Sequence, residues 1–79
     1  MWAQDLVDNL NRNVLAKAQA RDPGADWAFY VIGERTLALS PDGQQARELE
    51  ADGYWRFIVA DYVRAKEAAG ELQRLAPCI

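Results

Sequence analysis

The sequence predicts a small α+β domain: an antiparallel sheet of two or three strands, packed on by an N-terminal helix and a C-terminal helix. Three observations carry this prediction. Asp26 to Ser40 reads as two short strands joined at Gly33-Glu34, a β-hairpin. Ala3, Leu6, Val7, Leu10, Val14 and Ala18 recur at helical spacing before it. Tyr54, Trp55, Ile58, Tyr62, Ala65, Ala69, Leu72 and Ala76 do the same after it.

The first helix is expected over roughly residues 2–21. Asp5 and Asp8 lie early, Lys17 and Arg21 lie late, and this order complements the helix dipole. Asp22-Pro23-Gly24 stops it. In the hairpin, 26–40, Trp27, Phe29 and Val31 alternate with Ala28, Tyr30 and Ile32, residue types that suit a pleated surface. Gly33 fits a turn position that needs positive φ. Leu37 and Leu39 share one face of the second strand, opposite Thr36, Ala38 and Ser40. The first strand is apolar on both faces, so either it is central and covered twice or one face is kept for a partner.

Two readings compete for the next segment. Pro41-Asp42-Gly43 is a turn signal that would bring a third strand at 45–50. Alternatively Ser40 caps a short helix that begins at Pro41 and ends before Gly53. Asp52 can cap the last helix, Gly70 can kink or break it, and Pro77 closes it. The two helices most simply pack on one sheet face, leaving the other open.

Composition narrows the function classes. The 79 residues suffice for one domain, 1–79, with a small core. A 51% hydrophobic and 27% charged content is that of a globular chain rather than a disordered one. The net charge of −3 argues against direct binding to nucleic acid or anionic membranes, which needs clustered Lys and Arg. No apolar run reaches membrane-spanning length, and the N-terminus lacks the layout of a signal peptide. One cysteine, Cys78, cannot form an internal disulfide, which favours a reducing compartment; a cytoplasmic location is expected.

Catalytic and metal chemistry find few residues to work with. There is no histidine, hence no ordinary general base near neutral pH. No phosphate loop, nucleophile elbow or calcium loop occurs, so no enzyme activity, cofactor or metal is expected. Asp61 sits at the border of the last apolar stripe, where pairing with Arg64 at i+3 is its ordinary role. Arg56, Arg64, Lys66 and Arg74 share a helix face with Glu67 and Glu71, which largely cancel their field.

What remains is protein binding. Asp42, Glu48, Glu50 and Asp52 form an acidic segment that could dock on a basic surface. Eight aromatic residues exceed what a small core hides; Trp27, Phe29 and Tyr30 are the expected apolar anchors, with Trp2 and Phe57 as further candidates. In size and charge the chain resembles the small acidic single-domain inhibitors that phages and mobile elements encode, anti-CRISPR proteins among them. That resemblance implies a chain that blocks a nucleic-acid-handling complex by occupying a basic surface of a larger protein. The alternative is a structural or regulatory homo-oligomer, a homodimer for instance, that buries an open face or edge against a second copy.

Overall fold

The computed structural model describes residues 4–75. Trp2, Ala3, Ala76, Pro77 and Cys78, named above, lie outside the described residues, as do the side chains of Leu6 and Val7. Five antiparallel strands form one sheet: β1 (Ala28–Ile32), β2 (Arg35–Leu39), β3 (Ala46–Leu49), β4 (Trp55–Ile58) and β5 (Gln73–Arg74). Their order across the sheet is β4-β3-β2-β1-β5. A helix covers each face: α1, residues 4–21, and α2, Ala60–Ala68.

The expected sheet of two or three strands, with both helices on one face, is therefore overturned. Residues 45–50 do carry a strand, β3, paired with β2 from Leu39↔Ala46 to Thr36↔Leu49. The larger departure is in the segment expected to form one long C-terminal helix. Trp55-Arg56-Phe57-Ile58 is instead β4, paired with β3. Its aromatic and β-branched side chains favour a pleated strand, and β3 offers a hydrogen-bonding edge beside it. Tyr54, Trp55 and Ile58 fit a helical stripe only because periods of two and 3.6 overlap over so few positions.

α2 ends where its backbone carbonyls are captured. Gly70, at φ 74°, lets its own N–H reach Glu67 C=O and the Glu71 N–H reach Lys66 C=O, both at 3.0 Å. This is the Schellman arrangement, which needs a left-handed residue just past the last turn. The Lys66–Glu71 ion pair, 3.1 Å, spans the same stop. The chain then returns on the far side of the sheet as β5, beside β1 (Tyr30↔Arg74, Val31↔Gln73).

The pleat sorts the core into two clusters. Phe29, Val31, Ala38 and Leu75 face α1 and meet Leu15 and Ala18. Tyr30, Leu37, Leu39 and Ala46 face α2 and meet Ala60 and Val63. β1 is apolar on both faces because it is covered on both. α1 itself is not uniform: Leu10–Leu15 is π-helical between two α-helical ends. A π turn bonds i→i+5 and so stacks positions five apart. Leu15 consequently joins Leu10, Val14 and Ala18 on the buried side, a place that a regular 3.6-residue period does not give it.

Candidate functional site

The free edge of β4 is the part of the described surface that the fold leaves most apolar. The ladder alternation fixes how its backbone points. Ser40 N–H donates to Gln45 C=O at 2.9 Å, and Glu50 N–H donates to Tyr54 C=O at 2.7 Å. In an antiparallel pair such bonded positions alternate. Ala46, Glu48 and Glu50 therefore bond towards Ile58, Arg56 and Tyr54. The N–H and C=O groups of Trp55 and Phe57 and the N–H of Val59 then point outward, away from the sheet, while the Val59 C=O accepts from the Tyr62 N–H at 3.1 Å where α2 begins.

Side chains along this edge are exposed as well. Tyr54 is 72% exposed, Phe57 71% and Val59 66%. Trp55 packs inward against Phe29, ring centroids 6.2 Å apart. Phe57 is backed by Arg47 on β3, whose guanidinium lies 4.6 Å from its ring centroid and 5.3 Å from that of Trp27. The buried Nε of Arg47 has no hydrogen-bond partner among the described residues. Two aromatic faces stand in for one.

On the other face of the same strands sits an ion-pair network. Glu48 is buried between Arg35, bonded through Nε at 2.7 Å and Nη2 at 3.0 Å, and Arg56, bonded through Nη2 at 2.6 Å. Arg56 also pairs with Glu50 at 2.5 Å, and Arg35 donates to the Tyr62 hydroxyl at 2.9 Å. The Arg35 bonds hold the Glu48 carboxyl below the usual glutamate range, against the effect of burial, with Arg56 adding to them. The same bonds push the Arg35 and Arg56 guanidinium groups up. Such a network is internally neutralised and offers little net charge to a partner.

No family model matches the chain, and neither does any curated protein or solved structure.

The structure separates the residues that sequence reasoning grouped. Glu48 and Glu50 are engaged by Arg35 and Arg56, as above. Asp42 and Asp52 are exposed in the turns before and after β3, at opposite ends of that strand. Asp42 accepts from the Ser40 hydroxyl (2.6 Å) and the Gln44 N–H (3.0 Å), which hold its carboxyl below the ordinary aspartate range. Phe29 and Tyr30 are buried on opposite faces of β1, under α1 and α2 respectively, so neither offers a surface anchor. Trp27 is half-buried against Arg47.

Asp61 is exposed and pairs with Arg64, which also donates to Gly43 C=O at 2.8 Å and so ties α2 to the turn before β3. The single helix face expected to hold Arg56, Arg64, Lys66 and Arg74 beside Glu67 and Glu71 does not form, because Arg56 lies on β4 and Arg74 on β5, at opposite edges of the sheet. A cleft of about 510 Å³ runs between α1 and the β3–β4 turn; Lys17 and Arg21 line it together with Glu50 and Asp52, so its charges are mixed. Among the described residues no helix is long and apolar enough to cross a membrane, and no group of His, Cys, Asp or Glu could hold a metal ion. Tyr54 and Val59 are the residues of the edge that the helical reading hid. The signal that reveals them is the Asp52-Gly53 turn followed by alternation through Trp55, Phe57 and Val59.

Proposed function

We propose that this chain is a non-enzymatic protein-binding domain that takes up an extended strand along the free edge of β4. One observation carries the reading: of the four large apolar residues exposed on the described surface, Tyr54, Phe57 and Val59 fall within six positions at an unpaired sheet edge. An open edge supplies main-chain hydrogen bonds, and alternate side chains supply selectivity. A cytoplasmic setting belongs to the same reading, supported by a sequence whose one cysteine allows no internal disulfide.

The narrower reading is an acidic inhibitor of a basic nucleic-acid-binding surface. It draws support from the net charge of −3 and the exposed Asp42 and Asp52. Less supports it than supports the edge, because Glu48 and Glu50 are already paired.

Affinity capture from host extract with the tagged wild-type chain and with Phe57→Arg tests both. A partner held by the wild type and lost by the variant, with little response to salt, is the expected result. A partner indifferent to Phe57→Arg but released as salt rises would replace the edge with the acidic surface.

A further inference from the structure

We infer that the strand taken up by β4 is β4 of a second copy, set so that Phe57 lies opposite Phe57 across a two-fold axis. The inference rests on the reading of β4 as the interaction edge and adds the identity of the occupant. It follows from the way a two-fold axis perpendicular to a sheet constrains pairing. Such an axis keeps each face on its own side, so the α1 side of one copy continues into the α1 side of the other. Paired residues point to the same face, and faces alternate along a strand. The axis can therefore pass through a residue of β4 but not between two. Centring on Trp55 sets Phe57 against Gly53 and Val59 against Ala51, both in the β3–β4 turn, which leaves Arg56, Phe57 and Ile58.

Those three registers are not equivalent. Centring on Arg56 opposes two arginines at a non-hydrogen-bonded position, where side chains come closest. It also sets Val59 against Gly53, which lies in the β3–β4 turn. Centring on Ile58 sets Trp55 against Asp61, which lies in α2. Centring on Phe57 pairs Trp55 with Val59 and Val59 with Trp55. The outward backbone groups are those of Trp55 and Phe57 and the N–H of Val59, so only this register sets each of them opposite another residue of the edge, with the Val59 C=O, which already accepts from the Tyr62 N–H, taking the Trp55 N–H on its second lone pair.

The side chains agree with the backbone. On the α1 side Phe57 meets Phe57, flanked by two Trp55–Val59 pairs, which covers the most exposed apolar residues of that side together. On the α2 side Arg56 lies beside Ile58, so no like charges are opposed, and each Arg56 keeps its own Glu48 and Glu50. Arg47 of each copy already stacks on its own Phe57 and needs no rearrangement. A foreign strand could satisfy the backbone as well, but this edge is its own complement in sequence.

Four experiments on the full chain decide the matter. Light scattering of the wild type across micromolar to sub-millimolar concentration is expected to rise towards twice the 8.9 kDa of one chain; a clean monomer throughout overturns the inference. Amide exchange at Trp55, Phe57 and Val59 should slow at least about tenfold at the high end of that range; exchange indifferent to concentration overturns it. In a Cys78→Ser background, Phe57→Cys should form a linked dimer under mild oxidation, whereas a link through Arg56→Cys in its place overturns the register. Phe57→Arg should be monomeric with an unchanged circular dichroism spectrum, since Phe57 packs little into its own core; a Phe57→Arg dimer overturns the inference. The two readings fail separately. A monomer that still loses a foreign partner on Phe57→Arg leaves the edge as the binding site and removes the second copy, whereas a monomer whose partner ignores Phe57→Arg removes both.

Discussion

Glu48 is a carboxylate placed inside the sheet, on the strand face that α2 covers, directly opposite Leu37. Burial alone would favour its protonated form, and two arginines reverse that preference. Glu48→Gln keeps the shape and removes the charge. Because Arg35 and Arg56 stay solvated, the loss should be at the low end for a buried pair, about 2 kcal/mol in urea unfolding at pH 7. The pH dependence follows from the lowered pKa of the folded state. The stabilisation is complete above the unfolded glutamate value of about 4.3 and disappears as pH falls through the folded value. Wild type and Glu48→Gln should therefore converge in acid. Tyr30 works in the opposite direction. Burial first, and then its hydrogen bond to Glu67, push its phenol up to about 12. Its share of stability is present below the unfolded tyrosine value of about 10 and is lost as pH rises from there through the folded value. An ultraviolet titration should find a phenol ionising near 12, and Glu67→Gln should lower that value while burial keeps it above 10. Neither role was legible beforehand. Glu48 reads as one acid in a polar segment until the β2–β3 register sets it against Leu37.

At the scale of elements, local chemistry that agrees with itself was readable, and segments that fit two periods were not. The hairpin around Gly33-Glu34 and the stop at Asp22 follow from turn and capping chemistry that tertiary packing does not contradict. β4 was hidden because Trp55 and Ile58 satisfy a helical stripe that α2 then continues, and only pairing with β3 separates strand from helix. Within α1 the π segment is equally invisible to a 3.6-residue count, yet it decides which leucine is buried. Leu15 is fully enclosed, so Leu15→Ala should cost about 3 kcal/mol. Val14→Ala, one position earlier on a half-buried side chain, should cost clearly less. A regular helix would give Val14 the larger effect, so the pair of unfolding midpoints reports whether the wide turn exists in solution.

For the whole molecule, the two edges of the sheet differ. β4 ends the sheet with four strand residues and an exposed apolar row, whereas β5 covers β1 with two, helped by Leu75, whose N–H donates to Phe29 C=O at 2.9 Å. Removing residues from Gln73 onward should uncover β1 and take Leu75 out of the core. That shortened chain should aggregate at concentrations where the full chain stays clear, as turbidity would show. Coverage of both faces is the part of the architecture that sequence reasoning approached through β1, whose apolar residues on both sides left open whether protein or partner would lie there.

Chain order also bears on time. From β1 to β4 each strand pairs with its neighbour in sequence across a short turn, and such contacts close at small entropic cost. The pairing of Tyr30 with Arg74 must wait for α2 to lay the chain across the sheet. While the chain is still being synthesised, the meander can be complete with β1 still open along its outer side. The short strand β5 therefore acts as a late-arriving seal: the nascent molecule offers the five-residue edge of β1 to any passing strand, and the finished one offers there only the two residues of β5.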